Sequence, residues 1–496
     1  MPSLSTSRPS DARPTPPKWR RRALIALAVV LLGCVLAGVL FWWKFLKTED
    51  QAFTADPETA ASADLQRFKY GTLGGDLIAG IPYPILFILP RVFPDKIGEG
   101  GGYGAFGLPW EPGQRLPMGF SIKRKGFERV TVNCALCHTT QYRLVPGENP
   151  RFAVGGPGHT VDIQRLLRFL FACAHDERFA AERLLPEMAL HFPMDAADVA
   201  LYKLVLIPGM RAALLEAERQ LAWMDRRPDW GPGRDDAFGL PKFVLTQADD
   251  DGTLSTTDFP ALWKLGARKG TLYHAGGEAT ELSTVVATSA LGAGALPGPG
   301  FDRHNDWTEA FIQDLAPPPF PGQTDPAKAA EGSAVFALHC ASCHALGGKR
   351  TGTSIPLAEI GTDPEHVKTW QEKDARRMKK VGAALGVKEP PMIAATGYVA
   401  KPLVGVWLLG PYLHNGSVPT LMDLLAPPHD RPRVFWRGYD LVDQDNVGFV
   451  SSGPEAEKAG FRYDTGLRGN FNGGHEWGTG LPPEQKLALI DYLKGL

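Results

Sequence analysis

The longest apolar run of the chain lies near its amino terminus, at residues 23–43. No charged residue interrupts this run, and it is long enough to cross a bilayer as one helix. The basic cluster at residues 18–22 precedes it, which predicts that residues 1–22 form a cytoplasmic tail. We therefore expect a single-pass anchor in a bacterial inner membrane, with the bulk of the chain in the periplasm. A cleaved signal peptide is the alternative, because residues 61–63 (Ala-Ser-Ala) resemble a cleavage site.

Two further stretches have the spacing of apolar residues that is typical of amphipathic helices. Residues 326–336 lead into a pair of cysteines, and residues 482–493 lie near the carboxyl terminus. Two such helices that cross each other predict a small all-α domain over residues 326–496, with a long insertion. The Pro- and Gly-rich residues 292–325 are expected to form a linker, and residues 44–291 an amino-terminal domain.

Composition and charge refine this picture. The chain has 496 residues, with 53 Lys and Arg against 54 Asp and Glu, so that its formal net charge is -1. Such a balance gives no indication that the protein binds nucleic acid or another polyanion. The 55 glycines and 43 prolines predict that long ordered loops separate the helices, in a fold that is mainly α.

The placement of the cysteines points to a specific cofactor. Four of the six cysteines form two C-x-x-C pairs, and a histidine directly follows each pair. The residues of the two motifs are Cys134, Cys137 and His138, and then Cys340, Cys343 and His344. This is the pattern of c-type haem attachment, in which two thiols add to the vinyl groups of one porphyrin and the histidine ligates the iron. We therefore predict two covalently bound haem c groups.

A zinc site and a redox dithiol are the alternative interpretations of a C-x-x-C pair. The two pairs of a zinc site lie much closer together along a chain than these two motifs do. A thioredoxin-like dithiol explains neither the adjoining histidine nor the second copy of the motif. Haem attachment is therefore the interpretation that the residues favour.

The chemistry open to each haem depends on whether the protein supplies a sixth ligand to the iron. The candidates for the second haem are Met392, His414, His429 and His475. Met392 follows the second motif at a distance typical of a His/Met cytochrome, whereas His475 lies in a Gly-rich loop, and the residues alone leave the two balanced. The candidates for the first haem are Met118, His159, His175 and His274. None of these stands out as a ligand, which favours an open iron at the first haem.

Several longer segments resemble a known family. Residues 407–428 (WLLGPYLHNGSVPTLMDLLAPP) and 461–496 closely resemble the dihaem rubber oxygenases, which are distantly similar to bacterial dihaem cytochrome c peroxidases. Residues 116–138, 155–170 and 257–277 resemble the first haem domain of the same family. The resemblance implies two fused cytochrome-c-like haem domains, here behind one amino-terminal transmembrane helix.

The resemblance also implies how the two irons are ligated. In this family the first haem is open to oxygen and the second has two histidine ligands. Carried over to this sequence, His138 becomes the proximal ligand of the open haem, whereas His344 and His475 ligate the second iron. The same resemblance gives His414 a conformational role between the haems instead of a role as ligand.

The surroundings of the first haem follow from the resemblance as well. Trp263, Tyr273 and His274 become candidates for lining this haem, and we assign His138, Trp263 and His274 to any catalytic site. Rubber oxygenases, however, are longer and secreted, because they act on an insoluble extracellular polymer. A protein that is held at the membrane by residues 23–43 does not reach such a substrate, so rubber cleavage is not expected.

Together these patterns predict a membrane-anchored periplasmic dihaem cytochrome that acts as an oxidoreductase. The second haem is expected to relay electrons to the first, whose iron is expected to bind oxygen or peroxide, and a periplasmic redox protein is the expected partner. Two alternatives stay open. One is a dihaem cytochrome c peroxidase, and the other is a pure electron-transfer module in which both irons have six ligands.

Overall fold

The computed structural model describes residues 31–33, 35, 38–39, 48–50, 60–75, 80–98 and 101–496. The predicted cytoplasmic tail and most of the predicted anchor over residues 23–43 lie outside these described residues. Within the described ranges, no helix is both long and apolar enough to span a membrane. A small unit comprises residues 1–50 with 124–128, and a large unit comprises residues 51–123 with 129–496 and carries both cysteine motifs.

Helices and long loops dominate the large unit, so the prediction of a mainly α fold is confirmed. The longer α-helices are Ala60–Tyr70, Tyr83–Val92, Ile163–His175, Ala181–Ala189, Ile207–Leu221, Leu282–Gly292, Pro299–Asp314, Pro326–His339, Glu372–Leu385 and Pro483–Leu493. The short α-helices are Ala196–Leu201, Ala341–His344, Leu357–Ile360, Glu365–Thr369, Leu421–Leu424 and Pro454–Ala459. Single turns of tighter or wider helix include Cys134–Leu136, Tyr202–Leu206, Leu240–Leu245, Leu265–Arg268 and Val406–Leu408.

The strands are short and form small antiparallel pairs. The strands of the described residues are Thr48–Asp50, Ile81–Pro82, Phe120–Lys125, Phe127–Val132, Thr139–Tyr142, Arg151–Val154, Arg234–Asp236, Thr256–Asp258, Ser354–Ile355, Tyr398–Val399, Val434–Arg437, Val442–Asp443, Gly448–Phe449 and Phe461–Asp464. Two of these pairs matter for the cavity described below. Arg234–Asp236 pairs with Thr256–Asp258, and Ser354–Ile355 pairs with Tyr398–Val399.

Both helices predicted for the carboxyl-terminal half form. The motif helix, Pro326–His339, begins where the Asp325 side chain accepts hydrogen bonds from two backbone amides, and it ends at the first cysteine of the second motif. The closing helix, Pro483–Leu493, begins directly after Pro482. Proline suits the first turn of each helix, because its missing N–H has no partner there in any case.

The motif helix and the closing helix pack closely against each other. Gly332 lies against the backbone of the closing helix, so that an added Cβ would stand 1.9 Å from the carbonyl oxygen of Ala488. Near the motif, the rings of Phe336 and Tyr492 lie with their centroids 5.2 Å apart. Leu489 and Phe336 belong to one buried core cluster. The pair therefore holds the second cysteine motif against the core.

Residues 292–325, predicted to form a linker, contain the helix Pro299–Asp314. This helix packs beside Leu282–Gly292 and buries Phe301 and Ile312 completely. The predicted linker therefore contains a packed helix of 16 residues, and its role as a connection between two domains stays a prediction. Pro and Gly at both of its ends mark helix boundaries here, whereas the apolar positions between them supply a buried helix face.

A strand, and not a helix, precedes the first cysteine motif. Phe127–Val132 ends just before the 3₁₀ turn Cys134–Leu136, whereas the second motif follows the motif helix. The two attachment sites are thus built on different local scaffolds. The limits of the predicted haem domain at residues 44–291 stay a prediction.

We expect Gly332→Ala to destabilise the fold by roughly 1–3 kcal/mol, because the added methyl group overlaps an immobile backbone oxygen. Gly209→Ala is the matched control, since Gly209 lies in Ile207–Leu221 with no atom within 4 Å of an added Cβ. That control should be neutral or stabilising by up to about 1 kcal/mol, as alanine is the better helix former. Urea unfolding of both variants measures the difference, and equal effects would contradict the close packing.

Candidate haem-binding site

The first motif turns sharply so that its histidine faces inward. The Asn133 side chain accepts a hydrogen bond from the Ala135 amide at 2.9 Å and donates one to the Gly71 carbonyl at 2.8 Å. The Nδ1 atom of His138 lies 2.8 Å from the carbonyl oxygen of Pro260. Because a carbonyl oxygen only accepts, Nδ1 carries the proton and Nε2 is left to bind a metal.

The histidine of the second motif is oriented in the same way, by a hydrogen bond to a different backbone carbonyl. The Nδ1 atom of His344 lies 2.7 Å from the carbonyl oxygen of Lys401, so that its Nε2 is also left free. Burial lowers the pKa of His138 to about 4 and also lowers the pKa of His344. Both imidazoles are therefore neutral at pH 7, which is the form that ligates a metal.

Three of the four motif cysteines are buried in surroundings that disfavour the thiolate form. Burial raises the pKa of Cys134 and of Cys340 to about 11, and it raises the pKa of Cys137 well above its usual value. Redox-active and metal-binding cysteines stand instead where their pKa is lowered. Within the part of the chain that the structure describes, no three His, Cys, Asp or Glu side chains form a metal-binding group.

One cavity of about 1100 Å³ receives both motifs. Sites for one small ligand commonly measure about 300–1,000 Å³, so this cavity exceeds the usual size. Its walls are mainly apolar, as the flat and largely apolar face of a porphyrin requires. Representative wall residues are Leu166, Leu170, Val286, Phe238, Leu421 and Leu489. The cysteines, the free Nε2 atoms and the apolar walls thus fit covalently bound haem.

His475 lies across this cavity from His344. Their ring centroids are 5.9 Å apart and the ring planes are inclined by 49°. An imidazole nitrogen binds a metal at about 2.0–2.1 Å, so two imidazoles on opposite sides of one ion have centroids roughly 6 Å apart. Burial lowers the pKa of His475 to about 4, which keeps this imidazole neutral as well. The pair is therefore spaced as two axial ligands of one iron.

A strained loop holds His475 in this position. Its backbone has φ +48°, and its amide donates to the Ile360 carbonyl at 2.7 Å. Gly474 has φ +72° and packs so closely that an added Cβ would lie 2.3 Å from the carbonyl carbon of Gly361. The buried Arg431 guanidinium donates to carbonyl oxygens of the same loop, among them that of Gly474 at 2.9 Å. These contacts offset the cost of a non-glycine residue in the left-handed region.

Of the other candidate ligands of the second haem, Met392 and His414 also line the cavity, but other contacts hold their side chains. Met392 is buried in a core cluster with Phe238 and Trp370, and Cys134 of the first motif packs against that same cluster. His414 lines the cavity, but its ring stacks on Tyr398 with centroids 3.9 Å apart. His429 has an exposed side chain beside a neighbouring aspartate. Of these four candidates, His475 is the one whose ring faces His344.

Of the four candidate ligands of the first haem, one lines the cavity and three do not. His159 is buried and stacks on Phe449 with centroids 3.6 Å apart, outside the cavity. Met118 is fully buried away from the cavity, and His175 is exposed at the end of a surface helix. His274 does line the cavity, with φ +62° and a buried Nε2 that has no hydrogen-bond partner.

Trp263 also lines the cavity, and its indole packs between two loops. Its Nε1 donates to the Val154 carbonyl at 2.9 Å. An added Cβ at Gly156, which follows the first motif, or at Gly405, which follows the Lys401 loop, would lie 2.7 Å from the indole. The indole thus occupies the interior between segments that support the two motif histidines. Tyr273 is buried and donates to the Arg268 carbonyl at 3.2 Å, but it is not one of the residues that line the cavity.

Several residues of the site carry no signal in the sequence. The carbonyls of Pro260 and Lys401 act through the backbone, which every residue possesses. Glu278 and His366 form a buried pair with Oε1 and Nε2 2.9 Å apart, although the angle is not that of a hydrogen bond. Burial opposes ionisation of Glu278, but the charge of His366 keeps the carboxyl pKa below its usual value. Arg268 completes this set of partners, which are distant in sequence.

Comparison with known proteins agrees with this architecture. Residues 329–400 match the cytochrome c family, and residues 397–437 match a family described as RoxA-like, cytochrome c-like. An uncharacterized protein, y4iJ, of Sinorhizobium fredii (strain NBRC 101917 / NGR234) is 32% identical, over 37% of this chain and 41% of that protein. A second uncharacterized protein of the same strain, y4iM, is 32% identical over 28% of this chain and 37% of that protein. The matches thus span less than half the length of either relative.

The chain therefore contains a cytochrome c domain of the RoxA-like kind. Cytochrome c domains carry covalent haem c with its iron, and they serve haem-based electron transfer or oxidoreduction. The matched residues include the complete second motif and Lys401, whereas the first motif lies before them.

Replacement of His475 by alanine is expected to turn one low-spin haem high-spin, because the iron opposite His344 loses its second imidazole. Met392→Ala is the matched control and should leave the spin state unchanged, since that side chain is buried in a core cluster with Phe238 and Trp370. Optical and electron paramagnetic resonance spectra of the purified variants measure the change. A spin-state change in the methionine variant alone would reassign the ligand to Met392.

The pH dependence of stability offers a second measurement, at His159. Burial lowers the pKa of His159 to about 3, whereas the unfolded chain takes up the proton at about 6.5. The contribution of neutral His159 to the free energy of unfolding is therefore complete above about pH 6.5. It decreases as the pH falls, by about 2 kcal/mol at pH 5. His159→Phe keeps the aromatic stack and should flatten the pH dependence of urea unfolding. An unchanged dependence would contradict a buried neutral histidine.

Proposed function

We propose that this protein is a membrane-anchored, periplasmic dihaem cytochrome c that acts as an oxidoreductase. In this proposal the haem at His344 has His475 as its sixth ligand and relays electrons. The haem at His138 has an open position that accepts oxygen or peroxide. The observation that carries the proposal is the asymmetry between the two motif histidines, because among the described residues only His344 is faced by a second imidazole at axial spacing.

The chemistry of the site is divided between the cofactor and the chain. Haem supplies the change of redox state and, where its iron has an open position, a place for a small oxidant. The Pro260 and Lys401 carbonyls fix the orientation of the two proximal imidazoles and raise their basicity. Apolar walls limit the access of water, and Trp263 and His274 are the lining side chains that we propose for the surroundings of the first haem.

The location and the redox partner rest on the sequence. Haem attachment through C-x-x-C-H motifs and an uncharged run over residues 23–43 support a chain that is tethered to the inner membrane and works in the periplasm. A periplasmic redox protein is the partner that such a tethered cytochrome requires.

His274 supports a second candidate function, that of a pure electron-transfer module. Its buried Nε2 has no hydrogen-bond partner although the side chain lines the cavity, which is the condition of a ligand whose metal is absent. If His274 ligates the iron opposite His138, both haems have six ligands, and neither is open to a small oxidant.

Carbon monoxide and cyanide distinguish these functions in the purified full-length protein. We expect two haems per chain, one of which binds carbon monoxide when reduced, because the first iron has an open position. His274→Ala should leave this binding unchanged. If the unaltered protein binds neither ligand and His274→Ala binds carbon monoxide, the oxidoreductase proposal fails and the carrier function is established. For a protein that does bind, turnover of peroxide against uptake of oxygen separates a peroxidase from an oxygen-dependent enzyme.

A further inference from the structure

Two cationic side chains line the cavity without an acidic partner. Arg268 is only 8% exposed, its Nη2 donates to the Leu272 carbonyl, and its Nε is buried with no hydrogen-bond partner. Its guanidinium carbon lies 4.9 Å from the centroid of the Tyr273 ring, which is uncharged. Among the described residues, no carboxylate forms an ion pair with Arg268 or with Lys401.

Lys401 is the second of these cations, and it belongs to the segment that orients the second motif. Its carbonyl accepts the hydrogen bond from His344, while its half-buried side chain lines the same cavity. Arg268 and Lys401 thus bring two cationic side chains to the wall of one cavity.

The carboxylate of Glu278, whose charge acts on Lys401, is already engaged by other groups. Glu278 is fully buried, faces His366 at 2.9 Å and accepts a hydrogen bond from the Gly276 amide at 3.1 Å. A buried cation without an anionic partner is strongly destabilising. The two cations thus mark a place where an anion is expected.

Haem c brings such anions, because each porphyrin carries two propionate carboxylates on the edge opposite its vinyl groups. The thioether bonds hold the vinyl edge at the cysteines, so the propionates extend away from the motif and into the cavity. We propose that Arg268 and Lys401 together bind a propionate carboxylate of a bound haem, from either the His344 haem or the His138 haem. This inference rests on the proposed function, since it requires haem in the cavity.

The donor groups of the two cations suit a carboxylate ligand. An arginine guanidinium presents a planar fork of donors that matches a carboxylate, and an ammonium group adds a second charge-assisted hydrogen bond. A positive charge close to a haem stabilises the reduced iron, which carries one positive charge less. Arg268 and Lys401 therefore also raise the reduction potential of the haem whose propionate they bind.

Redox titration of the holoprotein followed by optical spectroscopy tests the inference. We expect Arg268→Gln and Lys401→Gln each to weaken reduction of one haem at least tenfold, which is a lowering of its midpoint potential by about 59 mV. Arg303→Gln is the matched control, because Arg303 is exposed and lies outside the cavity, and it should leave both potentials unchanged. Arg268→Lys keeps the charge and should restore most of the loss.

The spectra also identify the haem that supplies the carboxylate. A shift of the low-spin signal assigns the propionate to the His344 haem, and a shift of the signal that responds to carbon monoxide assigns it to the His138 haem. Unchanged potentials in both glutamine variants, at full haem content, overturn the inference even if their melting temperatures fall. If Arg268→Gln does not fold, Lys401→Gln and Arg268→Lys decide. A haem content below two in the unaltered protein contradicts the proposed function instead.

Discussion

The hydrogen bond from each motif histidine to a remote backbone carbonyl is the constraint on which the site depends. His138 reaches Pro260 and His344 reaches Lys401, so each local motif is fastened to a segment far along the chain. The bond fixes the tautomer, turns Nε2 toward the cavity and makes the imidazole a stronger ligand. Around these two bonds the chain builds one cavity, and the loops after Pro260 and Lys401 meet at Trp263.

Different scaffolds carry the two motifs. The second motif is held by two packed helices at a glycine contact, an arrangement that agrees with the relay haem of the proposed function. The first motif turns off a strand, and apolar side chains of Ile163–His175 and Leu282–Gly292 line the cavity near it. Such walls favour a small oxidant over a polar substrate. His274 is the one side chain among the sequence candidates that could close this position.

Few of the side chains that line the cavity are charged. Glu278 is paired with His366 and the lining residue Asp258 with Arg437, and the motif histidines are neutral at pH 7. The haem propionate that we propose at Arg268 and Lys401 supplies the carboxylate that these two side chains lack among the described residues. Binding of haem, folding of the surrounding loops and tuning of the reduction potential thus share the same few residues.

The sequence by itself determined the features whose physical cause is local. Two C-x-x-C-H motifs lie within one turn each, and the motif helix and closing helix follow from periodicity and from proline at their starts. For residues 292–325 the Pro and Gly signals did not reveal the packed helix Pro299–Asp314 between them. The residues alone left His475 and Met392 balanced, whereas the tertiary structure places the ring of His475 beside that of His344 and buries Met392 in a core cluster. The same holds for Pro260, Lys401, Glu278 and Arg268, whose roles come from partners brought together by folding.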